Sequence, residues 1–183
     1  WIPDLGGFYL MGIEGDLSVR LWKVRLDRGG EEPFFEEQGR NPGGPPDVLA
    51  KDGCGKLFWS AGDRALYMIG ARRKAGSHFP QSPYRTLAYD DQFHPSYVVR
   101  IDPEHLNWSL IAPGDAIHGV SEEGLVYGQY HFSRMSGLGV STVRLRTIPG
   151  GQETLLLRVR GYIGSGAFSP DGKFLAAGCG VGD

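Results

Sequence analysis

Cysteine is scarce in this chain of 183 residues, where Cys54 and Cys179 are the only two. Two cysteines make neither a disulfide framework nor a zinc site, so we predict a reducing, intracellular location. No apolar run approaches the roughly 20 residues of a membrane helix, and no membrane partner is expected. The net charge of −2 and the pI near 6.2 give no overall attraction to nucleic acid. A charged partner would therefore need a local patch.

Helical periodicity is lacking as well, because no stretch keeps a 3.6-residue apolar period free of glycine or proline. Glycine, by contrast, is abundant: its 29 residues lie well above the average of about 7%. Many valine, leucine, tyrosine and phenylalanine residues accompany it. This composition favours short strands joined by tight turns, so the predicted fold class is all-β.

A strand-turn-strand unit recurs along the chain. Its clearest copy, Ala167–Leu175, contains Ser-Pro-Asp-Gly, in which proline presets φ, aspartate can bond its own backbone and glycine accepts positive φ. Gly119–Tyr127 repeats the frame, and Phe58–Leu66 is a weaker copy. Aligned on serine, the copies fall at Ser60, Ser121 and Ser169, near the 40–45-residue spacing of propeller blades once loop insertions are allowed for.

A second recurring segment alternates apolar and polar residues, as a strand with two different faces does. Its copies are Gly15–Trp22, Tyr97–Asp102 and Ser141–Arg146. A further predicted strand follows each copy, at Pro33–Glu37, Trp108–Ala112 and Thr154–Val159.

Together these segments resemble WD40 repeats, with strands a to d in each blade. The resemblance implies a β-propeller of four-stranded antiparallel blades, present as a partial ring of about three to four blades. Trp22-Lys23 stands where WD40 blades have Trp-Asp, and no Gly-His pair precedes strand a, so a TolB-like propeller is the second choice. The predicted units are strands b-c-d in 1–40, blades in 47–113 and 115–160, and strands a-b in 161–183.

A ring of this kind needs more blades, since propellers have about 4–8. We expect additional sequence or another chain to complete it, because an open sheet edge at each end would invite aggregation. Self-association through those edges is the alternative.

One long insertion, Arg72–Ser96, is the candidate partner-binding site. In WD40 propellers the d–a and b–c loops share the face that usually binds partners, and this insertion is a b–c loop. Cations among aromatic side chains suit a phosphate-bearing, acidic-peptide or nucleic-acid partner, with nucleic acid the least expected of these. Arginine and aromatic residues are also typical of protein-binding hot spots. A solvated loop without specific contacts is the alternative. The candidate residues are Arg72, Arg73, Lys74, Phe79, Tyr84 and Arg85, with Arg134 from the equivalent loop of the next blade.

No catalytic constellation is recognisable, and neither a metal nor a cofactor is expected. The histidines lack ligand-pair spacing, so surface or hydrogen-bonded structural roles are predicted for them. Gly178–Gly182 is predicted to be a b–c turn in which Cys179 is a small filler. The expected function is a non-catalytic scaffold that docks protein or peptide partners in a larger assembly. The alternative is the propeller portion of a hydrolase or lyase, or a TolB-like periplasmic protein.

Overall fold

A computed structural model describes residues 6–13, 19–25, 34–40, 48–50, 56–73, 93–105, 107–133, 138–169 and 173–180. These residues contain strands and turns and no helix, which confirms the all-β prediction. The strands are β1 Gly7–Ile13, β2 Val19–Arg25, β3 Phe34–Arg40, β4 Val48–Ala50, β5 Phe58–Ser60, β6 Ala65–Arg73, β7 Phe93–Asp102, β8 Asn107–Pro113, β9 Ala116–Val120, β10 Gly124–Ser133, β11 Leu138–Thr147, β12 Glu153–Arg160, β13 Tyr162–Phe168 and β14 Leu175–Gly180.

The strands form four antiparallel sheets that follow one another along the chain. The first sheet is β1-β2-β3, and the second joins β4 and β5 to β6, β7 and β8. The third sheet is β9-β10-β11-β12, and the fourth is the hairpin β13-β14. Apart from β5, which pairs with β6, each strand after the first of its sheet pairs with the strand that precedes it in the chain. The pairing is therefore between neighbours in sequence.

The three predicted hairpins are observed, but their serines differ in role. The backbone N–H of Ser121 donates to the carbonyl of Gly124 at 2.9 Å, and Ser169 Oγ accepts the Phe174 N–H at 3.0 Å. Ser60 is buried, and its hydroxyl has no partner among the described residues. In that copy Arg64 adopts a φ of 51°, a left-handed conformation that closes the turn without glycine.

The first strand of the second sheet is divided into two pieces. Both β4 and β5 run antiparallel to β6 along the same edge, with Ala50 opposite Gly70 and Phe58 opposite Tyr67. They therefore lie end to end along one edge of β6.

Connections between strands are shorter than the sequence predicts. β6 continues to Arg73 and β7 begins at Phe93, so both ends of the predicted Arg72–Ser96 loop lie in strands. Likewise, the predicted turn at Gly178–Gly182 begins inside β14, and Cys179 is exposed rather than a core filler. Glycine-rich segments can pair as strands when a neighbouring strand supplies hydrogen bonds, which composition alone does not reveal.

The sheets pack face to face in chain order, as alternation along β6 illustrates. Leu66 and Met68 point toward the first sheet and pack with Leu21, whereas Tyr67 and Ile69 lie in a second cluster with residues of the third sheet. Val126 of the third sheet packs in turn against Ile163 of the fourth, with Phe168 and Leu175 beside them. Each central sheet is thus covered on both faces, and burial of this apolar surface drives the stacking.

The first strands of successive sheets lie next to one another. β9 contacts both β5 and β13, and its approach to β13 is especially close. A Cβ added at Gly119 would overlap the ring of Phe168, and one added at Gly166 would lie 3.1 Å from the Cβ of His118. Glycine at these two positions therefore permits the close contact between the third and fourth sheets.

Candidate functional site

Two of the predicted partner-binding residues, Arg72 and Arg73, lie at the end of β6. Arg72 is opposite Val48, and Arg73 is opposite Phe93, so the backbones of both arginines belong to the second sheet. β10, which precedes Arg134, occupies the same place in the third sheet as β6 does in the second. The other candidates lie outside the described residues: Lys74, Phe79, Tyr84, Arg85 and Arg134.

A small pocket lies between the third and fourth sheets, around His118. Its volume is about 10 Å³, which fits a single water-sized group. His118 of β9 is fully buried, and neither ring nitrogen has a hydrogen-bond partner among the described residues. His118 is therefore not a surface histidine. The polar lining comes from four strands or their ends: Asp115, Gln129, Tyr130, Ser141 and Tyr162.

Glycine residues make room for the imidazole. A Cβ at Gly128 would lie only 2.5 Å from Nε2 of His118, and Gly166 adjoins its Cβ. Burial lowers the pKa of His118, and the nearby backbone of Gly164 only partly opposes this shift. The side chain is consequently a neutral, tightly enclosed imidazole.

The polar groups around His118 hold the neighbouring backbone. Ser141 Oγ donates to the carbonyl of Gly161 at 2.8 Å and accepts the N–H of Ile163 at 3.1 Å. This hydroxyl therefore ties the third sheet to the start of the fourth. Asp115 Oδ2 accepts the N–H of Tyr130 at 2.9 Å. These contacts give the pocket a structural framework, since its carboxylate and hydroxyl already bind peptide groups.

A second polar cluster joins the β5–β6 turn to β7. Asp63 Oδ2 accepts hydrogen bonds from the Tyr67 hydroxyl and from Nε of Arg100, both at 2.8 Å. Burial and the hydrogen bond to Asp63 raise the pKa of Tyr67. Burial alone would lower the pKa of Arg100, but the adjacent carboxylate outweighs it and raises that pKa. The three side chains act together as a tie between strands.

His118 and the Asp63 cluster could not be selected from the sequence, because their partners come from separate strands and sheets. Among the described residues, no three His, Cys, Asp or Glu side chains are grouped to hold a metal ion. The same part of the chain contains no helix long and apolar enough to cross a membrane. Comparison with models of known protein families finds no match, and no curated protein matches either.

Proposed function

We propose that this chain is a segment of a WD40-like β-propeller and acts as a non-catalytic interaction scaffold. The stacking order carries the proposal: each sheet packs face to face on the next, and their first strands lie side by side. This is how blades are arranged around a propeller axis. A four-stranded antiparallel sheet such as β9–β12 is the corresponding blade unit.

A scaffold role is supported by what the polar residues contact. The hydroxyl of Ser141 and the carboxylate of Asp115 bind backbone groups, and Asp63 binds two side chains of its own sheet. Such contacts rigidify the stack, and a rigid stack can present its connections to a partner. The connection between Arg73 and Phe93 is the longest candidate for that contact, with its arginine and aromatic content.

Affinity capture with the full chain tests this function. The Arg72→Ala/Arg73→Ala variant should capture less of the partner than wild type at an unchanged melting temperature. Lys56→Ala, which removes an exposed cation elsewhere, is the matched control. Equal capture by the two variants would show that the insertion is not the interface. If the wild-type chain captured no partner specifically, the scaffold proposal itself would be wrong.

A further inference from the structure

The outermost strand of the third sheet, β12, has an open edge. It pairs with β11 alone in the described part of the chain, so its other row of N–H and C=O groups faces outward. Every residue of β12 except Val159 is exposed. Proteins usually blunt an edge strand by keeping it short, but this one is eight residues long.

Three consecutive leucines lie in the middle of this edge. Leu155, Leu156 and Leu157 are 51%, 50% and 47% exposed. Val143 is opposite Leu157 and Arg144 is opposite Leu155, so Leu156 is the extra residue of a bulge. Neighbours in a strand point to opposite faces, so the exposure of all three leucines shows that both faces of β12 are open at this point. An apolar run of this kind on an edge is typical of an interaction surface.

The end of β12 is positively charged. Arg158 and Arg160 are exposed, and neither has an ion-pair partner among the described residues. Arg146 is different, because its Nη1 lies 2.8 Å from the carboxylate of Glu153. The whole chain carries a net charge of −2, so this cationic end is a local feature. It is complementary to an acidic partner.

A second copy of the chain fits this edge poorly. In an antiparallel pair of β12 strands, Glu153 is the only β12 carboxylate that could meet the arginines of the other copy. That carboxylate is already bound by Arg146. Each copy would then bring two unpaired arginines and one shared carboxylate, so the interface would carry an excess of positive charge.

We propose that β12 docks an extended acidic-apolar segment of a partner protein, which adds a strand to the third sheet. Main-chain hydrogen bonds to the free edge would supply affinity, while the leucines and the two arginines would select apolar and acidic side chains. This inference rests on the proposed interaction function. It assigns partner binding to a segment other than the Arg73–Phe93 connection.

A synthetic peptide tests the proposal directly. The probe is a fluorescein-labelled, end-capped peptide of eight alternating valine and glutamate residues, titrated with the full chain and followed by anisotropy. Wild type should bind it, and added salt should weaken the binding because exposed charges are screened. The same peptide with alternate amides N-methylated along its pairing edge should not bind, since it cannot donate the required hydrogen bonds.

Charge reversal tests the selectivity. Arg158→Glu/Arg160→Glu should weaken binding about tenfold, because two exposed attractions become repulsions. Lys56→Glu is the matched control and should bind as wild type does. Equal melting temperatures would show that all three proteins are folded.

Several results would overturn the inference: no binding of the probe, equal binding of the N-methylated peptide, or unchanged binding by the charge-reversed variant. A wild-type dimer in sedimentation that dissociates on charge reversal, together with no peptide binding, would assign the edge to a second copy instead. Partner capture through the insertion without peptide binding would overturn this inference alone. Failure of both capture and peptide binding would also overturn the proposed function.

Discussion

Acidification should destabilise this protein through His118. The imidazole is 0% exposed and enclosed by glycines, and its pKa lies below the ordinary value of 6.5. The imidazole of His118 therefore binds a proton near pH 6.5 in the unfolded chain, but only at a lower pH in the folded chain. Stability is retained above pH 6.5 and lost as the pH falls from there toward the folded-state pKa. Between these two pKa values the free energy of unfolding falls by at most about 1.4 kcal/mol per pH unit.

Urea unfolding followed by tryptophan fluorescence at pH 7, 6 and 5 measures this loss. His118→Gln keeps a polar side chain of similar size but cannot titrate, so its stability should fall less steeply over the same interval. His131→Gln removes an exposed imidazole and controls for the loss of a histidine. Parallel stability curves for wild type and His118→Gln would refute the neutral, enclosed state of His118. Carboxylates that titrate in this range affect both proteins, so the difference between them isolates the imidazole.

Two further pairs of substitutions test contacts within the sheets. Gly124→Ala would place a Cβ against the carbonyl oxygen of Arg146, so we expect a loss of about 1–3 kcal/mol in thermal unfolding. Gly178 has open space around it, so Gly178→Ala should change stability by less than about 1 kcal/mol. Equal losses for the Gly124 and Gly178 variants would contradict the close contact between Gly124 and Arg146. Asp63→Ala removes the acceptor shared by a tyrosine and an arginine and should cost about 2–3 kcal/mol in urea unfolding. Glu104→Ala breaks an exposed ion pair and should cost under about 1 kcal/mol, and a similar cost for both would show that the Asp63 cluster is not a strand tie.

The hairpins could be predicted from the sequence because their information is local. A serine, two or three turn residues and a following apolar strand specify the Ser121 and Ser169 turns without any distant contact. Alternation likewise located β7 and β11, and in β7 it places Val98 and Val99 in different apolar clusters. β4 had no such signal, because a strand of three residues carries too short a pattern to recognise.

Site residues were harder to predict because they are defined by contacts between sheets. His118 is one of five histidines, and only the packing of β9 against β13 encloses it. Gly128 and Gly166, which make that enclosure possible, lie in two different strands and resemble ordinary strand glycines.

The contrast between β9 and β12 links the fold to the proposed function. β9 is the first strand of its sheet, and its side chains are buried or half-buried between the neighbouring sheets. β12 is the last strand of the same sheet, where three leucines and two arginines remain exposed. β9 needs glycine and a neutral histidine because the neighbouring strands approach it closely, whereas β12 has no such steric limit. In this sheet the contacts that stabilise the fold are at β9, and β12 is free for recognition. Substitutions in β12 should therefore alter partner binding, whereas substitutions in β9 should alter the free energy of unfolding.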